Sequence, residues 1–151
     1  MNEIGCVIVT YNRLKKLQKA LEAYQKQTDS PSYVIVVNNC STDGTKQFLG
    51  EWAQQISPFV KKVINLDKNE GGSGGFYEGF KCALELDISW IFIGDDDAYP
   101  EPDCLLKFKQ YICACESKGA DLPAGLCGKV VTAGKIDRWH RRILKRFCGI
   151  L

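Results

Sequence analysis

Ile88-Ser89-Trp90-Ile91-Phe92-Ile93-Gly94-Asp95-Asp96-Asp97-Ala98-Tyr99-Pro100 decides how this chain is read. Residues 88–93 form an apolar run with the length and β-branched content of a buried strand. Three carboxylates follow at its carboxyl end, where open α/β sheets place their ligands. Adjacent negative charges repel one another, and burying even part of them is costly unless a cation is present. The simplest account is a hard divalent cation, Mg²⁺ or Mn²⁺, bound through oxygen and carrying a phosphate-bearing substrate. A solvated acidic loop is the commoner fate of an acidic triplet taken at random. The strand-end position of this one, and the segments described next, favour a ligand.

On either side of that stretch, strand and helix patterns alternate. Residues 4–10 read as a first strand, with Asn12 as the cap of a helix that carries Leu14, Leu17, Leu21 and Tyr24 at helical spacing. Residues 33–38 read as a second strand. Ser41, Thr42 and Asp43 then start a helix bearing Phe48, Leu49 and Trp52. A third strand is expected over 60–66, a glycine-rich turn after it, and a helix over about 75–86. Pro102 suits the first turn of a further helix, and 126–131 reads as a fifth strand. Four consecutive strand–helix units predict an α/β fold, a mainly parallel sheet with helices on both faces.

Three more segments each follow a strand, so a parallel sheet would gather them at one edge. Thr10-Tyr11-Asn12-Arg13 offers hydrogen-bond donors, an aromatic face and a cation at a helix start; a plain capping sequence would look the same. Asn38-Asn39-Cys40-Ser41-Thr42 pairs two amides suited to a base edge or ribose with capping hydroxyls. In Asn69-Glu70-Gly71-Gly72-Ser73-Gly74-Gly75, four glycines in five residues permit close backbone approach to a ligand, and the helix start beyond them favours an anion. This last segment matches neither the dinucleotide fingerprint nor the P-loop.

Composition bounds the class. The 151 residues are 45% apolar and 25% charged, ordinary for a soluble globular domain. The net charge of +2 conceals an asymmetry: residues 1–137 carry 15 basic against 18 acidic residues, whereas 138–151 carry five basic and no acidic ones. No secretory signal opens the chain, and no apolar run approaches the ~18 residues of a membrane span. The eight cysteines fall largely in strand and helix patterns and read as reduced thiols, so a cytoplasmic protein is expected. The Cys113–Cys115 pair lacks the companion ligands of a zinc site.

Taken together, VIVTYNR, VVNNCSTDGT, NEGGSGGFYEGF and WIFIGDDDAYPEPD resemble the family-2 glycosyltransferases with the GT-A fold. They look most like the bacterial galactofuranosyl- and rhamnosyltransferase-like enzymes of cell-surface polysaccharide assembly. The resemblance covers about residues 3–142, with four motifs in the family's order and spacing. It implies a nucleotide-diphosphate sugar donor, UDP-sugar first and dTDP-sugar second, and Mn²⁺ or Mg²⁺ as cofactor. It implies that Thr10, Tyr11, Asn12 and Arg13 line the nucleotide pocket and that Asn69, Gly71 and Gly72 lie beside the diphosphate and sugar. Asn38 stands where the family usually has an Asp reading the base, with Asn39 next to it. Asp95 and Asp97 match the metal-binding DXD carboxylates, and Asp96 would reach the ribose or sugar.

The chemistry so implied is inverting transfer to a glycan or lipid-linked acceptor. A carboxylate takes the acceptor's proton while the metal neutralises the departing diphosphate. In similar proteins the base lies beyond the matched region. No second acidic motif follows Asp97 here, so no catalytic base is assigned. The chain reads as C-terminally truncated, or as half of a site that a partner completes. A non-catalytic nucleotide-sugar-binding module needing a partner chain is therefore the alternative. A phosphatase or phosphotransferase would leave the glycine turn and the paired amides without a role. Nucleic-acid binding would need a basic stripe that residues 1–137 lack. Residues 1–137 are taken as the nucleotide-sugar-binding domain and 138–151 as a basic amphipathic tail. Trp139, Ile143, Leu144 and Phe147 lie on one side of that tail, and Arg138, Arg141, Arg142, Lys145 and Arg146 on the other. Such a pattern fits peripheral contact with an anionic membrane; it equally fits a helix packing its apolar side on the domain. His140, the only histidine, reads as a surface residue among arginines.

Overall fold

The computed structural model of the chain describes residues 3–132 and 135–136. The elements run β1 (Ile4–Thr10), α1 (Leu14–Gln25), β2 (Tyr33–Asn38), α2 (Thr45–Gln54), β3 (Val60–Asn65), α3 (Gly71–Glu85), β4 (Trp90–Asp95), α4 (Cys104–Ser117), β5 (Val131–Thr132) and β6 (Lys135–Ile136). Two compact units result, Met1–Ala120 and Asp121–Leu151. The tail 138–151, with His140, lies outside the described residues. No described helix is long and apolar enough to cross a membrane.

In the first unit, β1–β4 form one parallel sheet in the order β3-β2-β1-β4. The chain steps outward from β1 to β3, then returns to place β4 on the other side of β1. Strand–helix–strand crossovers keep one hand, so a reversal of direction moves the connecting helix to the opposite face. The core shows this. Cys6 and Ile8 of β1 and Val34 and Val36 of β2 pack with Leu17, Leu21 and Tyr24 of α1, Leu49 and Trp52 of α2, and Leu105 of α4. Val7 and Ile35, pointing the other way along the same strands, pack with Ala83, Phe76 and Phe80 of α3. Helices thus cover both faces, three on one and α3 alone on the other.

Several elements begin later or earlier than their sequence signals. β4 spans Trp90–Asp95, because pairing with β1 starts at Ile4↔Trp90 and Ile88 turns into the core beneath α3. Asp95 is therefore the last strand residue and not part of the loop. α3 begins at Gly71, so the glycine run is the helix's first turn and no turn precedes a helix at 75. The fifth strand expected over 126–131 is not formed: only Val131–Thr132 is extended, and it pairs antiparallel with Lys135–Ile136 in the second unit. Gly128 and Lys129 interrupt that run, and Val130 and Val131 are exposed, so no buried face holds a strand there.

None of the seven described cysteines forms a disulfide. Burial pushes the thiol of Cys6 far above its usual range, with Cys104 nearby adding to the effect. This is the behaviour of inert core thiols.

Candidate functional site

A cleft of about 290 Å³ opens at the carboxyl ends of β1 and β4, lined by Val9, Thr10, Tyr11, Arg13, Asn39, Asn69, Gly71, Gly72, Phe76, Asp95 and Asp96. Strand order explains its place. The chain leaves β1 in one direction and comes back on the other side, so the connections diverge there and leave a crevice.

The acidic triplet divides into three different carboxylates. A turn closed by Ala98 N–H donating to the Asp95 carbonyl (3.1 Å) swings Asp96 back over β1. Asp96 is 4% exposed. Its Oδ2 accepts from the Thr10 hydroxyl at 2.8 Å, and its Oδ1 from Arg13 at 3.2 Å. Asp97 accepts from the same Arg13 Nη1 at 3.1 Å and from Lys16 Nζ at 2.9 Å. The Lys16 hydrogen bond holds Asp97 below the usual carboxylate range; partial burial opposes this, and the charges of Lys16 and Arg13 reinforce it. Asp95 is exposed at the cleft edge, and its carboxylate has no hydrogen bond or ion pair among the described residues. Gly94, just before it, lies against the buried hydroxyl of Tyr24, so a side chain there would collide with that ring.

Lys16 carries no mark in a reading of the sequence for motifs. It lies one helical turn beyond Arg13, and the i,i+3 spacing of two cations at a helix start is the signal that could have found it.

The glycines divide in the same way. A Cβ on Gly79 would strike Val7 and one on Gly75 would come within 2.5 Å of Val9, so these two let α3 lie close on β1. Gly71, at φ 71°, and Gly72 have no neighbouring atom within 4 Å of where a Cβ would stand, and they face the cleft. The first-turn amides of Gly72 and Ser73 have no partner within the helix, and the positive end of the helix dipole adds to their pull on an anion. The Gly71 amide is taken by Asn69 Oδ1 at 2.8 Å.

The paired amides are largely committed to the protein. Asn39 Nδ2 donates to the Gly71 carbonyl (2.9 Å) and its Oδ1 accepts from Glu70 N–H (2.9 Å), which clamps the end of β2 to the start of α3. Asn38 Nδ2 donates to Asn65 Oδ1 (2.8 Å) and its Oδ1 accepts from Ser41 N–H (3.0 Å). Both are 2% exposed, and Asn38 does not line the cleft. Asn12 does not cap α1. At φ 52° it reaches the neighbouring loop, where its Oδ1 accepts from Thr42 N–H at 2.7 Å. The first amide of α1, on Leu14, is capped from outside by Asp43 Oδ2 at 2.9 Å. Tyr11, 44% exposed, offers its ring to the cleft. A second depression of about 300 Å³ lies beyond β3, lined by Asp67, Glu70 and Glu78 with a single lysine. Its acidity suits an anionic ligand less.

A family model described as Glycosyl transferase family 2 matches residues 6–146. Among curated relatives, the galactofuranosyltransferase GlfT1 of Mycolicibacterium smegmatis is 31% identical over 105 residues, 69% of this chain and 33% of its own length. The uncharacterized glycosyltransferase YwdF of Bacillus subtilis is 32% identical over 114 residues, covering 73% of this chain and 38% of its own. Among solved structures, Staphylococcus aureus TarS residues 1–349 in complex with UDP superposes with a TM-score of 0.65 at 25% identity, over 76% of this chain and 33% of that one. The mannosyltransferase PcManGT of Pyrobaculum calidifontis, in complex with GDP-Man and Mn²⁺, superposes at 0.59 with 23% identity, over 73% of this chain and 32% of that one. The chain thus spans about a third of the length of most of these proteins.

Proposed function

The chain belongs to glycosyl transferase family 2, and from that premise we propose that it forms the donor-binding part of a glycosyltransferase that moves a sugar from a nucleoside diphosphate to an acceptor hydroxyl. One observation carries this reading. Residues from the ends of β1, β2 and β4 and the start of α3 converge on one cleft that presents an aromatic face, a guanidinium, open helix-start amides and a free carboxylate. A nucleoside diphosphate asks for that set. The ring of Tyr11 suits a base, while Arg13 and the amides at Gly72 and Ser73 suit phosphate oxygens. Uridine is the favoured base, because TarS has been solved with UDP and with UDP-GlcNAc at 25–26% identity to this chain; dTDP is the second choice.

The carboxylates fit a divalent metal. Among the described residues, no group of three His, Cys, Asp or Glu side chains is arranged to hold one. Mg²⁺ and Mn²⁺ do not require such a cage, since one or two carboxylates together with substrate phosphates commonly bind them. Asp95, unpaired at the cleft, and Asp97 would supply those oxygens. A bound metal would offset the negative charge that grows on the departing diphosphate. The chain's own contribution is placement: Thr10 and Arg13 fix Asp96, Asn39 fixes the α3 start, and Gly71 and Gly72 leave room for the ligand. Inverting transfer to a glycan or lipid-linked hydroxyl is the reaction that suits this family.

A second reading, a nucleotide-sugar-binding module that needs a partner chain, is favoured by one fact. The described carboxylates lining the cleft are Asp95 and Asp96 alone, and Asp96 has both oxygens engaged, which leaves no acceptor-side base in view. Slow donor hydrolysis by the isolated chain separates the two readings.

The test of the donor site is thermal unfolding of the 151-residue chain with UDP, GDP or dTDP, each with and without Mn²⁺. A ligand at 100 times its dissociation constant stabilises by about 2.7 kcal/mol, a rise of several degrees for a chain of this size. The expected result is a rise with UDP that Mn²⁺ enlarges. A cooperative transition that no nucleotide moves would overturn the proposal.

A further inference from the structure

We propose that Lys16 holds Asp97 in an ion pair that competes with an incoming divalent cation, so that Lys16 sets how tightly the cleft takes a metal before nucleotide arrives. This rests on the metal-assisted donor site proposed above.

Most charges around the acidic triplet are already satisfied. Asp96 is buried with one oxygen on Thr10 and the other on Arg13. It is locked, and it tethers the Arg13 guanidinium through Nη1, which leaves that group's other N–H donors for phosphate. Asp97 Oδ2 receives both Arg13 at 3.1 Å and Lys16 at 2.9 Å. A hard dication drawn to that oxygen meets two positive charges, and of the two Lys16 is the one free to leave. Arg13 is tied to a second, buried carboxylate. Lys16 has Asp97 as its sole ion-pair partner among the described residues, its side chain is 51% exposed, and its ammonium rides on a flexible four-carbon stem. Exposed pairs of this kind are weak, so displacement is feasible. Until it happens, an ammonium repels a divalent ion at close range. Once released, Lys16 becomes a mobile cation beside a cleft built for a diphosphate, which couples metal entry to nucleotide entry. Such coupling is reciprocal.

The experiment titrates Mn²⁺ alone into the full 151-residue chain and follows the free ion by electron paramagnetic resonance. Lys16→Met is expected to tighten Mn²⁺ binding about three- to tenfold, the loss of one exposed pair together with one nearby repulsion. Lys16→Arg should stay near the parent value. Lys19→Met, which removes a charge from an exposed site on the same helix, should change it little. Raising the salt should shrink the gap between Lys16→Met and the parent chain. Matched unfolding curves check that each variant folds. Parent-like or weaker Mn²⁺ binding in Lys16→Met overturns the proposal, as does equal tightening in Lys16→Arg. If parent and variant alike fail to bind Mn²⁺ even with saturating UDP while UDP itself still binds, the metal reading falls and this proposal with it.

Discussion

Gly79→Ala should destabilise the fold even though alanine is the better helix former. In a helix interior the exchange gains about 1 kcal/mol. The new methyl, however, would strike Val7 Cγ1 and stand 3.3 Å from Val37 Cγ2. Both neighbours are β-branched with stiff side chains, and both lie in central strands with almost no exposure. The helix must therefore lift, at the overpacking cost of about 1–3 kcal/mol, toward the upper end here because nothing around it yields. The net loss is about 1–2 kcal/mol, or a Tm lower by about 3–6 °C for a chain of this size. Gly72→Ala is the counterpart. It has open space where its Cβ would stand and lies in the first turn of α3 without a positive φ, so stability should hold or rise by up to about 1 kcal/mol, while UDP binding weakens as the methyl enters the cleft. Urea denaturation of both variants, with UDP titration of each, is the assay. A Gly79→Ala chain with a raised midpoint would refute the reasoning, because α3 would then have slack on the sheet and the glycine would have another purpose.

Thr10→Val keeps the shape of the side chain but removes the donor to Asp96 Oδ2; a loss of about 1–3 kcal/mol is expected in urea denaturation, and an unchanged midpoint would mean that Arg13 alone satisfies that carboxylate. Asp43→Ala should cost about 1 kcal/mol at neutral pH by uncapping α1 at Leu14. Slight burial acts to raise the Asp43 pKa, but hydrogen bonds from the Thr45 hydroxyl and the amides of Leu14 and Thr45 lower it on balance. A carboxyl lowered in the folded state stabilises fully above its unfolded value of about 3.9, and that contribution fades as pH falls through the folded value. The gap between parent and Asp43→Ala should therefore narrow between pH 7 and pH 3, and parallel pH profiles would contradict the assigned hydrogen bonds.

The first unit was legible as four strand–helix pairs because burial leaves a mark in the sequence: short unbroken apolar runs where a strand is buried on both faces, and a period of 3.6 for the helices. Sequence and structure part where the apolar pattern is short or ambiguous. Residues 126–131 are apolar enough for a strand but interrupted by Gly128 and Lys129. The glycine run reads as a turn because glycine is a poor helix former, yet Gly71, Gly72 and Gly74 form the first turn of α3; Gly75 and Gly79, expected in the helix, are glycines there because the sheet lies too close for any side chain.

At the site, the sequence by itself determined which segments would gather, since each follows a parallel strand and all such ends lie on one edge. Only the tertiary structure decided what each residue does there. Thr10 and Asp96 are 86 residues apart and meet only because β4 inserts beside β1 and not beyond β3. The same strand order brings Lys16 to Asp97, leaves the Asp95 carboxylate without a hydrogen bond or ion pair among the described residues, and ties Asn39 to the start of α3. Periodicity records how deeply a residue is buried. It carries no record of which distant side chain will share that space, because hydrogen bonds and ion pairs form between partners that strand order alone brings together.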